Sequence, residues 1–314
     1  MLLAVDAGGT STRAVTLSVS GEVLGRGRAG SGNPTAAGVE DAVAAILASL
    51  PAGPAPGPGD GLAVIAMAGE QTPRFAELLA HELSGRGWGR VVLEHDLLAT
   101  FCSGTPRGDG YALIAGTGSV AARVVEGRLE RVVGGRGWLL GDTGGGFWIG
   151  HRVARAVVAA LDGQQPPTAM TDLVLAQLGI EPGSPEVLRK VVSALYARRP
   201  VALAALAPLA FAVHEDPTAR TILVEASSSL ADLLAAVRVP GLDGPVVGGG
   251  SVLVRGLLSA PPELRAALPW PDVDAELVAV PDGVVGAAVL TLRHAGIPVD
   301  DTVFDRLRAG VGRV

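Results

Sequence analysis

The chain has 314 residues, a net charge of −6 and a single cysteine, Cys102. This length predicts two domains or one large two-lobed domain, and an acidic balance without a Lys/Arg cluster argues against a nucleic-acid partner. One cysteine excludes a disulfide framework and a thiolate zinc site, and it indicates a cytoplasmic protein. The N-terminal apolar run is too short for a signal peptide, and the longest apolar stretch, 201–213, is too short to cross a bilayer, so we expect no membrane partner.

The first predicted element is an antiparallel meander. LLAVDA reads as an apolar strand, a glycine turn follows, and Val15, Leu17 and Val19 alternate with polar residues in a second strand. A turn at 20–22 leads into a third strand. Beyond a Pro/Gly-rich loop, the pattern predicts a strand, a helix and a strand, at 62–67, 73–83 and 90–93.

The second half begins with the same pattern. From Tyr111 a strand, a Gly-Thr-Gly-Ser turn, a strand, a Glu-Gly turn and a strand follow one another, which is a weak internal repeat. Periodicity then predicts helices at 151–161, 171–178, 185–197, 201–214 and 217–237. A strand runs into VVGGGS (246–251), a helix follows, and a strand at 276–280 and a helix at 282–294 precede a polar tail. Strands and helices in both halves predict an α/β fold.

The segment DAGGTSTR (6–13) delivers Asp6 into a glycine turn followed by hydroxyl side chains. Glycines let backbone N–H groups approach phosphate oxygens, and a carboxylate can hold Mg²⁺ through water. A plain hairpin turn is the alternative. The second turn, GTGS at 116–119, favours the phosphate interpretation, because two such hairpins can hold one nucleotide from both sides of a cleft.

A third glycine turn, GPVVGGGSVL, lies between an apolar strand and a helix, whose N-terminus favours an anion. An ordinary strand-to-helix loop is the alternative. The spacing of these glycines does not match a Rossmann fingerprint. A Walker P-loop is excluded because Lys190 is the only lysine and lies outside any glycine-rich segment.

The segment GGRGWLLGDTGGGFWIG (134–150) is the richest in glycine. Trp138 and Trp148 could form the wall of a ligand site, and Asp142 could accept hydrogen bonds from sugar hydroxyls. An irregular loop anchored by tryptophans is the alternative. In SGNPT, Asn33 offers a donor and an acceptor to a ligand, although a turn asparagine is the simpler interpretation.

The charged triplet Glu94-His95-Asp96 interrupts the apolar stretch VLEHDLLATF. Asp96 could be a general base at the end of a strand, or it could cap the helix that follows. A metal site is disfavoured because the other histidines are scattered without ligand spacing.

Taken in order, these motifs resemble the sugar kinase, hsp70 and actin superfamily. The segment 134–150 is similar to the G-G-x-G-x-x-x-G-D-E-G-S-x-x-W-I stretch of N-acetylglucosamine kinases and of the BadF/BadG/BcrA/BcrD ATPase family. The resemblance implies a two-lobed, actin-like ATPase (ribonuclease H-like) α/β fold. Each lobe would have a mixed sheet with helices, and the nucleotide cleft would lie between the lobes. It further implies one lobe of 1–102 plus 296–314 and another of 103–295.

The same resemblance implies a role for each motif. Asp96 would be the catalytic base, and Asp6 would hold Mg²⁺ through water. The phosphates of ATP would be bound by Gly8, Gly9, Thr10, Ser11, Thr12, Gly116, Thr117, Gly118 and Ser119. The adenosine would be bound by Gly248, Gly249, Gly250 and Ser251, and the sugar by Asn33, Asp96, Thr117, Gly137, Trp138 and Asp142.

The implied function is an ATP-dependent kinase that phosphorylates the 6-hydroxyl of an amino sugar, N-acetylglucosamine in the first place. Glucosamine or N-acetylmuramic acid is the alternative substrate, and a BadF-type ATPase acting on a protein or an acyl-CoA is the alternative function. Cys102 alone argues against the dehydratase activators, which need a cysteine-ligated cluster. A DNA-binding sugar sensor is disfavoured by the charge and by a first strand that begins at Met1. Family relatives commonly form dimers, so we expect a homodimer.

Some residues depart from the family pattern. Thr143 and Gly145 stand where relatives carry Glu and Ser, and Glu94 and His95 stand where many carry a small or amide residue. These changes lie beside the expected sugar site, so they bear on the identity of the sugar more than on the reaction.

Overall fold

The structure is a computed structural model that describes residues 1–53, 56–57, 59–69, 71–183, 185–269 and 277–312. The first part of the chain contains β1 Leu2–Ala7, β2 Thr12–Leu17, β3 Val23–Ala29, α1 Pro34–Ala37, α2 Val39–Ala48, β4 Leu62–Met67, α3 Pro73–Ser84, β5 Arg90–His95 and α4 Asp96–Gly104.

The middle of the chain contains β6 Gly110–Ala115, β7 Ser119–Val125, β8 Arg128–Gly134, α5 Gly137–Leu140, α6 Gly146–Leu161, α7 Met170–Leu178, α8 Val187–Tyr196, a 3₁₀ helix Pro200–Leu206, α9 Ala207–Ala212 and α10 Pro217–Val237. The last part contains β9 Val246–Gly249, a π-helix Val252–Leu257, α11 Pro262–Arg265, β10 Leu277–Ala279, α12 Val284–His294 and α13 Asp301–Val311.

Two five-stranded mixed sheets organise these elements. The first has the order β3-β2-β1-β4-β5 and the second the order β8-β7-β6-β9-β10, so the two halves repeat one topology. In each sheet an antiparallel meander is extended by parallel strands. The predicted α/β fold and the internal repeat are confirmed. Because the carboxyl ends of parallel strands lie at one edge, the loops after β1, β4 and β5 are neighbours.

Helices α4 and α12 connect the two sheets. One buried cluster contains Ala4 of β1, Leu98 of α4, Ala288 of α12 and Val247 of β9, and so draws on both sheets. Gly286 permits this packing, since a Cβ there would lie 1.8 Å from the carbonyl oxygen of Ala99. Helix α12 also packs against β1 and β4. The lobe boundaries at 102/103 and 295/296 therefore stay a prediction, and α12 is attached to the first sheet.

The structure differs from the sequence-based expectations in several helices. The predicted polar tail is wrong, because α13 buries Phe304 and Leu307 and is capped by the Asp300 carboxylate, which accepts a hydrogen bond from the Val303 N–H at 2.9 Å. The segment 201–214 is a 3₁₀ helix followed by α9, with Pro208 in the first turn of α9, where its missing N–H is tolerated.

Strand β10 matches a predicted element, whereas helix α2 matches none. The predicted strand at 276–280 appears as β10, while its first residue lies outside the described residues. Helix α2 buries Ala42, Val43 and Ile46 and did not feature among the predicted elements. Among the described residues, no helix combines the length and the apolar character that crossing a bilayer would require.

Candidate functional site

The first glycine turn joins β1 to β2. The Gly8 N–H donates to the Ser11 carbonyl oxygen at 3.0 Å, which leaves Gly9 and Thr10 exposed at the tip. Thr12 is buried, and its hydroxyl donates to the Gly30 carbonyl oxygen at 2.8 Å. The exposed backbone of this turn is therefore free to face an anion, whereas the Thr12 hydroxyl holds the loop that follows β3.

Asp6 lies beneath this turn and is almost fully buried. Its Oδ2 accepts a hydrogen bond from the Gly283 N–H at 2.9 Å, where the chain enters α12. Burial raises the pKa of Asp6 from 3.8 to about 7, and the negative charges of Asp282 and Asp96 add to the rise. Arg13 forms an ion pair with Asp282 at 3.2 Å. Asp6 is thus repelled by two other carboxylates, and a cation beside it would relieve that repulsion.

Asp96 is the first residue of α4, directly after β5. Its Oδ1 accepts two hydrogen bonds, one from the Leu97 N–H at 2.9 Å and one from His95 Nδ1 at 3.0 Å. The helix cap itself is His95, so Asp96 occupies the first helical turn, where a carboxylate is favoured by the helix dipole. Both of these contacts engage Oδ1 rather than Oδ2.

Glu94 and His95 point to different neighbours. Glu94 Oε1 contacts His294 Nε2 on α12 at 2.6 Å, and its carbonyl oxygen accepts from Gln71 Nε2 at 3.1 Å. His95 remains 44% exposed and bonds to Asp96. The hydrogen bond to Asp96 raises the pKa of His95 above its ordinary value, while burial opposes the rise. His95, unlike Glu94, therefore acts directly on the candidate base.

The second glycine turn joins β6 to β7 and rests on the start of α6. The Gly116 and Thr117 carbonyl oxygens accept from the N–H groups of Gly146 and Phe147 at 2.7 and 2.9 Å. Ser119 is buried, and its hydroxyl donates to the Thr143 carbonyl oxygen at 2.7 Å. The turn is held rigidly, and Ser119 positions the neighbouring loop.

Asp142 lies against this turn. A Cβ at Gly118 would come within 2.4 Å of Asp142 Oδ2, so only glycine fits beside the carboxylate. Burial raises the pKa of Asp142, while N–H groups of Ser119 and Gly137 oppose that rise. Within the described part of the chain, Oδ1 of this side chain is buried without a hydrogen-bond partner. A buried acceptor without a donor suits a ligand hydroxyl.

The helix α5 beside Asp142 is exposed and apolar. Gly137 begins it at a φ of +80°, Trp138 is 42% exposed, and Leu139 and Leu140 are more exposed still. Trp138 packs on Phe147 with ring centroids 5.3 Å apart. Trp148 instead packs against a buried cluster that includes Val153 and Ile222, and the guanidinium of Arg152 lies over its ring. Of the two predicted wall tryptophans, Trp138 is the one on the glycine loop's exposed face.

The third glycine turn is divided between the sheet and the surface. Gly248 and Gly249 are buried in β9. Gly250 has a φ of +91°, and a Cβ there would lie 2.4 Å from the Ala115 carbonyl. Ser251 is exposed at the start of the π-helix. Gly250 and Ser251 thus lie beside the second turn, whereas the other two predicted adenosine residues are interior.

Asn33 lies near the first turn. The Gly32 N–H donates to the Gly8 carbonyl oxygen at 3.2 Å. Asn33 Oδ1 caps α1 by accepting from the Thr35 N–H at 2.8 Å. A Cβ at Gly69, which follows β4, would lie 2.3 Å from the same oxygen. The cap uses the carbonyl side of Asn33 and leaves its amide N–H groups to donate to a ligand.

Sequence reasoning missed the contribution of the segment before α12. Asp282, Gly283 and their partner Arg13 complete the surroundings of Asp6. The available signal was an aspartate between a strand and a helix, the same placement that singled out Asp96. Two cavities of the structure lie elsewhere: one of about 330 Å³ beside Glu94 and His294, and one of about 1200 Å³ between α6, α8 and α10.

The geometry agrees with a family relationship. The profile of the BadF/BadG/BcrA/BcrD ATPase family matches residues 3–291. The chain belongs to this family. The resemblance to this ATPase family that was inferred from the glycine motifs is confirmed.

Named relatives include two amino-sugar kinases. The chain is 29% identical over 212 residues to the N-acetyl-D-glucosamine kinase of Dictyostelium discoideum, a match that covers 64% of this chain and 65% of that protein. It is 31% identical over 178 residues to glucosamine kinase GspK of Vibrio cholerae, covering 54% of this chain and 59% of the relative. The chain thus spans somewhat under two thirds of the length of these relatives.

Solved structures extend the comparison over most of the chain. The protein named "Putative N-acetylglucosamine Kinase" from Chromobacterium violaceum is 26% identical, with a TM-score of 0.73, covering 93% of this chain and 98% of that one. A ROK family glucokinase from Streptomyces griseus is 17% identical, with a TM-score of 0.53, over 93% of this chain and 99% of that one. The predicted two-lobed α/β fold is confirmed.

Proposed function

We propose that this protein transfers the γ-phosphoryl group of ATP to the 6-hydroxyl of an amino sugar. The substrate proposed ahead of the alternatives is N-acetylglucosamine. The main support for this proposal is the geometry of the Asp96 carboxylate. Two donors hold its Oδ1, so Oδ2 would be the atom that contacts the substrate. The names of the two partial relatives, both amino-sugar kinases, support this substrate class.

The proposed step balances in atoms and charge. Asp96 Oδ2 takes the proton of the sugar 6-hydroxyl while that oxygen forms a bond to the γ-phosphorus. The bond from the γ-phosphorus to the β,γ-bridging oxygen breaks, and ADP leaves. The backbone N–H groups of both glycine turns would orient the phosphates, and exclusion of water would prevent its competing attack.

The residues around Asp6 fit a divalent cation. Asp6 is buried with a pKa raised to about 7, and the charges of Asp282 and Asp96 act on it. Among the described residues, no three His, Cys, Asp or Glu side chains are grouped to hold an ion directly. Asp6 would therefore hold Mg²⁺ through water. When bound, the ion neutralises charge on the transferring phosphoryl group.

The amino-sugar site would be formed by Asp142, the amide of Asn33 and the α5 segment. Asp142 Oδ1 is buried and lacks a donor among the described residues, so a sugar hydroxyl would satisfy it. Glucosamine and N-acetylmuramic acid are the alternative substrates. Cys102 is buried, and burial raises its pKa to about 11, so it is unsuited to ligating a cluster as the dehydratase activators do. A homodimer and a cytoplasmic location stay predictions.

The test is ADP release by the wild type with N-acetylglucosamine, glucosamine or N-acetylmuramic acid, with the product's phosphate position read by NMR. Asp96→Asn is expected to lower kcat by about 10²- to 10⁴-fold, the usual contribution of a positioned base. Asp301→Asn is the matched control, because Asp301 is also the first residue of a helix and is exposed.

Two results would contradict the proposal. If folded Asp96→Asn kept a near-normal kcat, Asp96 would not be the catalytic base. ATP turnover that no amino sugar stimulates would favour an ATPase acting on a protein or an acyl-CoA.

A further inference from the structure

His95 and Asp96 form a pair at the junction of β5 and α4. The Nδ1 of His95 lies 3.0 Å from Asp96 Oδ1, and the Leu97 N–H reaches the same oxygen at 2.9 Å. Two donors on one oxygen fix the rotation of the carboxylate. The backbone donor comes with the helix, whereas the imidazole is the one side chain of this pair that can change its charge near neutral pH.

We propose that His95 is a positioning residue for the phosphoryl transfer: it holds Asp96 so that Oδ2 faces the sugar hydroxyl, and its own protonation weakens Asp96 as a base. This inference rests on the proposed function. It assigns the role of base to one oxygen atom, Oδ2, and it predicts a pH dependence for the reaction.

Both protonation states of the ring can hold the carboxylate, but they differ in charge. A neutral imidazole with its proton on Nδ1 donates to Oδ1 and adds no charge. An imidazolium donates the same bond and places a positive charge beside the carboxylate. That charge favours the ionised carboxylate and weakens its attraction for a proton, so the sugar hydroxyl is deprotonated less readily.

The His95 imidazole lies where it can gain and lose a proton as the pH changes. It is 44% exposed, so solvent can supply and remove its proton. The hydrogen bond to Asp96 raises the pKa of His95 above 6.5, burial opposes this, and the charges of Asp96 and Glu94 raise it further. The raised pKa widens the pH range over which the ring stays protonated, so kcat should increase as rising pH removes the proton from His95.

Other charged groups surround the pair and must be separated from it. Glu94 Oε1 contacts His294 Nε2 on α12 at 2.6 Å. Asp6 of β1 also interacts electrostatically with Asp96 and with Asp282, the partner of Arg13. Because burial raises the pKa of Asp6 to about 7, Asp6 could produce a similar acid limb. Substituting His95 alone distinguishes the two groups, because Asp6 stays in place.

The experiment uses two variants of His95 and one control. His95→Asn keeps a donor near the position of Nδ1 but cannot titrate, and His95→Phe keeps a ring but removes the donor. His81→Asn is the control, since His81 is exposed in the last turn of α3. For each protein, kcat and KM are measured with saturating Mg²⁺–ATP and N-acetylglucosamine from about pH 5.5 to about pH 8.5.

We expect the wild type and His81→Asn to share an acid limb in kcat. His95→Asn should keep kcat within about threefold of the wild type at high pH and lose the limb. His95→Phe should lower kcat roughly 10- to 100-fold at all pH values, as for a misplaced catalytic group, with a smaller change in KM. Thermal unfolding confirms that the variants fold.

An unchanged acid limb in His95→Asn, or an unchanged kcat in folded His95→Phe, would overturn the proposal. A second readout does not need activity: imidazole NMR titration should show that Asp96→Asn lowers the pKa of His95. The proposed function would be contradicted if the wild type released no ADP in response to any amino sugar. The pairing of His95 with Asp96 would be contradicted if the pKa of His95, measured by NMR, were the same in Asp96→Asn as in the wild type.

Discussion

The backbone N–H of Gly283 donates to Oδ2 of Asp6 at 2.9 Å and so joins the start of α12 to the end of β1. No larger residue fits at position 283, since a Cβ there would lie 2.8 Å from Asp6 Oδ1. The carboxylate is thereby almost fully buried. Its high proton affinity in the absence of a cation follows from this burial.

Asp6 should make stability depend on pH. Its pKa is raised from 3.8 to about 7 by burial, so between these values the folded state binds a proton that the unfolded state lacks. This contribution lowers the free energy of unfolding as pH rises through that window. In metal-free buffer, Asp6→Asn should therefore gain stability relative to the wild type by on the order of 2–4 kcal/mol from about pH 4 to about pH 7, measured by urea unfolding.

Asp305→Asn, at an exposed position of α13, is the control and should show no such gain. A difference between Asp6→Asn and the wild type that stays constant with pH would contradict the assignment.

We expect Asn33 both to cap α1 and to bind the sugar. Asn33→Asp keeps an oxygen to accept from the Thr35 N–H but loses the amide donors, so we expect KM for the sugar to rise about tenfold with stability unchanged. Asn33→Ala also loses the cap and should lower the free energy of unfolding by about 1 kcal/mol. If Asn33→Asp leaves the sugar KM unchanged, Asn33 is a cap alone.

Substitution of Asp142 should weaken binding of the sugar but not of ATP. Asp142→Asn retains shape and tolerates the backbone φ of +57° but removes the charge. We expect KM for the sugar to rise about tenfold, because a hydrogen bond to a charged acceptor is lost, while KM for ATP stays within about twofold. Steady-state kinetics with each substrate varied checks this. Asp162→Asn, at the far end of α6, is the control, and equal effects on both substrates would refute a sugar role.

Gly145 should be required for the second turn. A Cβ at this position would lie 2.6 Å from the Gly118 carbonyl carbon, so Gly145→Ser must push the turn away from α6. We expect a higher KM for ATP and a free energy of unfolding lower by about 1–3 kcal/mol. Gly85→Ala is the matched control, because its Cβ would meet nothing nearer than 3.8 Å. An unaffected ATP KM in Gly145→Ser would contradict the role of the turn.

Much of the fold could be predicted because its strands show local patterns. The strands β1, β4 and β6 are continuous apolar runs bounded by turn residues, and the two meanders repeat the same order of strand and turn. Helix α13 was not predictable in this way. It is polar on average, and its apolar residues, Val303, Phe304, Leu307 and Val311, form an inner face only because distant residues such as Val23 belong to the same cluster.

The candidate site was predictable where a single segment carries the signal. The glycine turns and Asp96 stand out in the sequence, and the structure places them at the strand ends from which they were expected. The bond between Asp6 and Gly283 joins residues 277 positions apart, so no local pattern could indicate it. The buried states of Thr12 and Ser119 likewise depend on loops that are distant in sequence.

The placement of α12 on the first sheet has a consequence for biosynthesis. The ribosome makes β1 well before α12, the helix at residues 284–294 whose Ala288 helps to cover that strand. Until those residues leave the exit tunnel, one face of the first sheet lacks its cover and exposes apolar surface. Newly made chains should therefore depend on chaperones until α12 has been synthesised, and truncations that remove α12 should aggregate rather than yield a folded first lobe.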